Sequence, residues 1–459
     1  MRNIRKWSGG TFFGMLLMLL CALATHSVMA SNLHLDEGVL EALAARGEVR
    51  VLVLPEAWPD GGPRAVTVRE QVDALLAEVP GLGARVERRF ESFPGFAARV
   101  DASILQALRE RGGAIRVGLD EGGSGDLIQS VPLAGVTPVH LAGLTGAGRK
   151  VVILDSGLRL DHQSFAGRIV AEACFCTNCC PNGQSTQFGA GAAIDGHGHG
   201  TNVAGIAAGA AGVAGVPRGV ASSADIVAVR VLDNNNSFCC TSDIVAALEW
   251  VRLNHPDATV INASLGTNAR YAGNCDNAAS FTIAFASVLD PLRAGGILTS
   301  VSSGNNGSST EMQVPACVSS ALAVAAVYDA NVGSHTFGSV CTDATTAADQ
   351  MACFSNLSTT TDLLAPGARV TAAGRGSSSS TSTFSGTSMA APMVAGCIAL
   401  LKEAMPTATP AAIETALEAS PVRISRTALS QEYPRLDCAD ALQRLLDLER
   451  IFINGFESG

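Results

Sequence analysis

From residue 148 onward, short runs that are apolar at every position alternate with segments rich in alanine and glycine. Residues 151–154, 226–231, 259–263 and 321–327 read as strands, and 201–211, 244–254 and 388–402 as helices. A strand apolar on both sides must be buried on both faces, so this interleaving predicts an α/β fold built on a parallel sheet. Hydrophobic residues make up 47 % of the 459-residue chain and charged residues 16 %, which excludes general disorder. The 48 glycines follow no three-residue period, so the chain is not collagenous. Acidic groups outnumber basic ones 41 to 31 for a net charge of −10, which argues against the basic face a nucleic-acid partner requires.

The amino terminus carries Arg2, Arg5 and Lys6, then an apolar run over 12–24, then Val28-Met29-Ala30. This is the pattern of a cleaved export signal, with the cut expected after Ala30. An uncleaved anchor is the alternative, but the run is short of the roughly 20 residues a spanning helix needs. Thirteen cysteines fit an oxidising compartment, and losing Cys21 with the signal leaves an even number. The mature chain is expected to be secreted, extracellular or periplasmic, with no membrane partner.

Residues 31–125 read as a small α+β unit, with strands over 49–55, 93–100 and 115–117 and helices over 68–76 and 104–111. The stretch 120–126, Asp-Glu-Gly-Gly-Ser-Gly-Asp, has linker composition. Residues 126–445 form the larger unit and 446–459 a short surface tail. The serine run 377–380 reads as a mobile loop.

Three motifs carry chemistry. In Val151-Val152-Ile153-Leu154-Asp155-Ser156-Gly157 an apolar strand ends in an acid. That places a carboxylate at the carboxyl end of a sheet strand, where α/β proteins build their sites; a turn-capping aspartate is the alternative. In Gly198-His199-Gly200-Thr201-Asn202-Val203-Ala204-Gly205 a histidine opens a small-residue helix. The positive helix terminus there favours neutral imidazole, the form of a general base. His197 is its rival. In Gly386-Thr387-Ser388-Met389-Ala390-Ala391-Pro392 a serine sits at a helix start, where backbone N–H groups are available to an oxyanion. A plain serine cap is the alternative, but Pro392 four residues later removes a backbone hydrogen bond that such a helix would otherwise make.

The order Asp…His…Ser is one of the chain orders known for a hydrolytic triad. With these three motifs, over about 139–445, the sequence resembles the subtilases, the subtilisin family of serine peptidases. The resemblance implies a three-layer subtilisin-like fold with a mainly parallel sheet, preceded by a small propeptide domain. It implies the roles of nucleophile for Ser388, general base and acid for His199, and imidazole-orienting acid for Asp155. It implies that Asn305, in Ser303-Gly304-Asn305, donates to the oxyanion, and that Ser264-Leu265-Gly266, with Ser303 and Gly304, binds substrate backbone. One departure is Asn202, where the family usually carries a second histidine; the expected effect is on packing. The chemistry is expected to need no cofactor and no metal in the site. Structural calcium is common in the family, but no ligand loop here is clear enough to name.

Residues 48–119 resemble the family's inhibitor-type propeptide, most clearly at Phe93-Pro94-Gly95-Phe96-Ala97-Ala98. The resemblance implies an enzyme held silent by its own amino-terminal unit until cut, between 117 and 133. The run Cys174-Phe175-Cys176-Thr177-Asn178-Cys179-Cys180 has enough thiols for zinc, yet in an exported chain disulfides are favoured. Cys239-Cys240 is a candidate partner for that run. The family's fold implies the pairs Cys275 with Cys317, Cys341 with Cys353, and Cys397 with Cys438. The expected partners are protein or peptide substrates, acting on a monomer. The rival from another class is a catalytically silent subtilase fold used for binding.

Overall fold

The structure is a computed structural model that describes residues 33–36, 39–55, 65–89, 95–111, 113–119, 127–426 and 431–456. The export signal, Phe93 and Pro94, and the linker 120–126 lie outside the described residues. The chain divides into two compact units, Met1–Gly123 and Ser124–Gly459.

The first unit runs β1 (Leu33–Leu35), α1 (Val39–Arg46), β2 (Glu48–Pro55), α2 (Ala65–Glu78), β3 (Val86–Arg89), β4 (Phe96–Asp101), α3 (Ala102–Arg111) and β5 (Ile115–Leu119). Its sheet has the order β1-β5-β2-β4-β3. Alternate residues Val49, Val51 and Val53 of β2 and Phe96, Ala98 and Val100 of β4 join one core with Leu43 of α1, Leu75 of α2 and Leu108 of α3. That period-two burial is what a sheet with one covered face requires. Away from this core, Glu87 pairs with both Arg50 and Arg99 at 2.7 Å. β1, α1 and β3 were not evident in the sequence, because each is short and only weakly patterned.

The second unit opens with α4 (Leu127–Leu133) and α5 (Val136–Leu141), then β6 (Lys150–Asp155), β7 (Ile169–Phe175), β8 (Thr186–Phe188), α6 (His199–Ala208), β9 (Asp225–Arg230) and α7 (Thr241–Asn254). There follow β10 (Val260–Ala263), β11 (Arg270–Tyr271), α8 (Ser280–Ala294), β12 (Leu298–Ser302), β13 (Met312–Gln313), β14 (Ala321–Val327), β15 (His335–Phe337) and β16 (Cys341–Asp343). The chain ends with β17 (Leu363–Pro366), β18 (Val370–Ala373), β19 (Thr381–Phe384), α9 (Thr387–Ala404), α10 (Pro410–Glu418), β20 (Arg423–Arg426), β21 (Gln431–Pro434) and α11 (Cys438–Phe456). Residues read as a surface tail from 446 thus begin inside the last helix.

The eight-stranded sheet has the order β17-β14-β12-β10-β6-β9-β7-β8 and is parallel except for β8. Its strands feed two cores. Val151 and Ile153 of β6 face one side with α6 and α9, while Val152 and Leu154 face the other with α7 and α8. This is the parallel sheet covered on both faces that the apolar runs predicted, in the three layers that the resemblance implied. α6 is buried along its whole length, and α9 from Thr387 to Leu401. Small residues make this possible: a Cβ at Gly396 of α9 would stand 2.5 Å from Val220 Cβ and 2.9 Å from the Ala207 carbonyl.

All twelve described cysteines are bridged. Cys275–Cys317, Cys341–Cys353 and Cys397–Cys438 pair as the family's fold implied. The Cys-rich run closes on itself, Cys174–Cys180 and Cys176–Cys179, so its sulfurs are not free for zinc. One expectation is corrected. Cys239 and Cys240 bond to each other and not to that run, because the run satisfies its own valences; Asp243 makes the cross-link instead, accepting from Thr177 N at 2.7 Å. The serine run lies in the loop between β18 and β19 and carries hydrogen bonds of its own. Ser380 Oγ donates to the Gly374 carbonyl and accepts from Ser377 N, both at 2.8 Å, and Ser378 O accepts from Gln163 N at 2.7 Å.

Gly396→Ala is expected to lower stability by about 1–3 kcal/mol through overpacking against a backbone carbonyl. Thermal unfolding of the secreted protein checks this; an unchanged Tm would contradict so close an approach of α9 to its neighbours.

Candidate active site

Strands β6, β10 and β12 are adjacent in the sheet, with Ala263 opposite both Leu154 and Val301. Their carboxyl ends deliver Asp155, the segment Ser264–Gly266, and the turn Ser303-Gly304-Asn305 to one edge. Helices α6 and α9 start with His199 and Thr387-Ser388. The site is therefore made of strand ends and helix beginnings, as parallel α/β folds favour.

Asp155 is fully buried. Its Oδ1 accepts from His199 Nδ1 at 2.7 Å and from Ser156 N at 2.7 Å. A carboxylate only accepts, so Nδ1 carries the proton and Nε2 of the neutral ring keeps its lone pair. Burial opposes charging His199, but the Asp155 charge, its hydrogen bond and nearby Asp195 outweigh it and hold the imidazole above its usual range. Asp195 was not singled out by sequence reasoning. Its Oδ1 accepts from Gly198 N at 2.8 Å, His197 N at 2.9 Å and Ser156 Oγ at 2.8 Å, and its Oδ2 from Thr201 N at 3.1 Å. It thus caps the start of α6 and fixes the backbone from which His199 projects. The signal was present as an acid four residues before the histidine. His197, the rival, makes no hydrogen bond to Asp155; its backbone N–H serves the Asp195 cap.

Ser388 lies in the first turn of α9, lining a cavity of about 490 Å³ with Ser264, Leu265, Gly266 and Asn305. Its Oγ stands 3.4 Å from the Ser264 carbonyl, and no hydrogen bond joins it to His199. Such bonds commonly tighten only when substrate is bound. Pro392 cannot donate to the Ser388 carbonyl. That carbonyl instead accepts from Ser264 Oγ at 2.8 Å, which in turn accepts from Asn262 Nδ2 at 2.9 Å.

The orientation of Asn305 is fixed by its partners. Thr387 N donates to its Oδ1 at 2.8 Å and Thr387 Oγ1 at 3.0 Å. A backbone N–H cannot accept, so the carboxamide oxygen must face Thr387 and the NH₂ is left as the free donor. Gly304 makes the turn with φ of 111°, in the left-handed region that favours glycine. Thr387 Oγ1 also accepts from Gly304 N at 3.1 Å. Thr387 is the second contributor that sequence reasoning missed.

Two of the expected substrate-binding residues are placed differently. Ser303 and Gly304 do not line the cavity: Ser303 is buried, with its Oγ donating to the Asn356 carbonyl at 2.8 Å. Ser302 and Gln313 line the cavity as well. Asn202 acts in packing, its Nδ2 donating to the Ser382 carbonyl at 2.6 Å and tying α6 to β19. Among the described residues, the side-chain cluster nearest to metal-ligand spacing is Cys239, Cys240 and Asp243. Bonded sulfurs do not fit calcium, which takes oxygen ligands, and no step is derived through a metal.

The pattern of the subtilase family matches residues 146–434. The chain belongs to the subtilase family. It is 31 % identical to an extracellular serine proteinase of Thermus sp. (strain Rt41A), across 89 % of this chain and 93 % of that one. It is 31 % identical to subtilisin NAT of Bacillus subtilis subsp. natto, across 74 % and 78 % of the two chains. Among solved structures, a protease of Pseudoalteromonas arctica PAMC 21717 is similar at 25 % identity and a TM-score of 0.52, over 70 % of this chain and 95 % of that one. Subtilases are serine proteinases, so this chain is a hydrolase whose substrates are proteins. Among the described residues, no helix is long and apolar enough to cross a membrane.

Because His199 is held above the usual 6.5, its ring is expected to lose its proton only at higher pH. NMR titration of the Ser388→Ala protein checks this. Asp155→Asn should lower the midpoint, since burial is then opposed mainly by the more distant Asp195. A midpoint at or below 6.5 in the parent would contradict the assignment.

Proposed function

We propose that this subtilase is a secreted serine endopeptidase, made as a silent precursor, in which Asp155, His199 and Ser388 form the catalytic triad. The observation that carries the reading is the conjunction of a buried Asp155–His199 hydrogen bond with Ser388 and an oriented Asn305 amide on one cavity. Ser388 Oγ attacks the scissile carbonyl while His199 Nε2 takes its proton. The C–O bond forms, the carbonyl π electrons move onto oxygen, and the Asn305 NH₂ and the Ser388 N–H receive that charge. The Ser388 N–H is available because the first donors of a helix have no intrahelical acceptor. The C–N bond then breaks, with His199 returning the proton to the amine. Water repeats the sequence on the acyl-enzyme. Asp155 holds the tautomer throughout.

The segment Ser264–Gly266 leaves β10 and borders the cavity, which suits an extended peptide added as a further strand. The first unit is the propeptide in this reading. Supporting it, the similarity to the Thermus proteinase covers more of the chain than the second unit alone contains, and so reaches into the first. A parallel sheet with many long-range pairings folds slowly, which gives a helper domain a physical purpose. Residues 1–30 supply the export signal, consistent with an extracellular relative. The chemistry uses no cofactor.

Wild type and Ser388→Ala are to be expressed without the signal and treated with a fluorophosphonate probe. The wild type is expected to label and to shed its amino-terminal unit, while the variant stays full length and unlabelled. A variant that hydrolyses casein at the wild-type rate sinks the proposal.

Asn305→Ala is expected to reduce kcat by about 10²–10³, the loss already established for such a donor in a subtilisin, with KM little changed. Thr387→Val removes one of the two bonds that orient the amide, so it should produce a smaller fall in kcat. Equal falls in kcat and rises in KM would point to a collapsed site instead.

A further inference from the structure

We propose that the Cys239–Cys240 disulfide is a site of reversible reduction by dithiols that sets the shape of the peptide-binding cleft. The effect on turnover rests on the cavity reading above. Three observations lead to it. First, Cys239 lines the cavity, together with Phe238, Thr241 and the substrate-strand residues Ser264, Leu265 and Gly266. Second, Cys239 is the one exposed cysteine among the described residues, whereas Cys275, Cys317, Cys397 and Cys438 are buried to 1 % or less. Third, this bridge joins neighbours in sequence, while Cys275–Cys317 and Cys397–Cys438 span 42 and 41 residues. A bridge stabilises mainly by closing a loop in the unfolded chain, and one between adjacent residues closes almost none. Its contribution therefore lies in the local shape and chemistry of the loop that carries it.

The surroundings give the exchange a direction. Cys240 is the N-cap of α7, with no side-chain capping bond of its own. Cys239 Sγ stands 4.0 Å from the Asp243 carboxylate. The carboxylate lies within 4.8 Å of both sulfurs, so the choice falls to exposure, which opens Cys239 to attack, and to the helix start, which favours a thiolate on Cys240. A dithiol thiolate therefore attacks the exposed Cys239 sulfur, the S–S bond breaks, and Cys240 leaves with the electron pair and takes a proton. The reagent's second thiolate attacks the mixed disulfide, closes its own ring and releases Cys239 as a thiol after protonation. Two electrons pass from the dithiol to the protein pair. The two sulfurs then move from bonding distance, about 2.05 Å, to van der Waals separation. The wall beside Phe238 and Thr241 loses its covalent ring. Ser388, His199 and Asn305 are carried on other elements, so substrate binding changes more than chemistry.

The test uses mature wild-type protein exposed to increasing dithiothreitol. Free thiols are blocked with a light alkylating reagent, and the remaining cysteines with a heavy one after unfolding. KM and kcat on a tetrapeptide anilide are followed in parallel. Cys239 and Cys240 should take the light label together and before any other pair. At that point KM should rise by about threefold or more with kcat within about twofold, and oxidised glutathione should restore both label and KM. Cys239→Ser/Cys240→Ser should have the raised KM without dithiol and no further response. The proposal is overturned if other bridges are reduced first, if the pair is reduced with KM unchanged, or if the double variant keeps the wild-type KM. Labelling order is read without turnover, so a protein that reduces as expected but never hydrolyses the anilide sinks the catalytic reading and is told apart from failure of the disulfide site.

Discussion

Everything in the second unit depends on two helices of small residues lying inside the protein against one face of a parallel sheet. α6 and α9 are buried almost throughout, and at Gly200, Gly205 and Gly396 a side chain would run into neighbouring backbone. Their approach brings two helix starts to the strand ends of β6, β10 and β12. The cost is that backbone groups at these starts must be satisfied locally. Asp195 does this for α6, and Thr387 N finds Asn305 at the start of α9. Packing and site are one construction: the groups that complete the helix starts are those that aim the reactive side chains.

The sheet divides its labour by parity. Successive residues of β6 serve opposite cores until Asp155, where the strand runs out of layers to cover and its carboxylate turns to the histidine. The buried acid is tolerable because Oδ1 collects two donors, and a buried charge without partners would be far more costly. Asp195, Ser156 and Thr201 extend the same network, and polar groups joined in this way hold one geometry more firmly than isolated pairs do.

Much of this was legible in the sequence. Runs apolar at every position pointed to strands covered on both sides, and the small residues of 201–211 and 388–402 marked helices suited to close contact. Pro392 was legible as an anomaly, and the structure supplies its counterpart in Ser264 Oγ, which satisfies the carbonyl that Pro392 leaves free. What stayed hidden has a common cause. Thr387 acts through Asn305, 82 residues away, and Asp195, besides capping its own loop, ties Ser156 from 39 residues away; a spacing rule sees only local neighbours. The motif that Ser303 shares with Asn305 implied substrate contact, whereas the Ser303 hydroxyl bonds the Asn356 carbonyl, 53 residues away. The pairing of Cys239 with Cys240 was hidden for a different reason: adjacency in sequence is seldom adjacency in bonding.

Thr387 and Ser388 are consecutive residues of one rigid helix, and Thr387 grips Asn305 through two hydrogen bonds. In the proposed mechanism the attacking oxygen and the amide that receives the negative charge are therefore tied to the same helix start. Asn305 itself belongs to the turn after β12, so those two bonds couple a strand end to a helix start. His199 rides on α6, whose placement against α9 is set by packing in the shared core. In that mechanism the charge-receiving geometry is therefore set by hydrogen bonds and the proton-transfer gap by the packing of two helices.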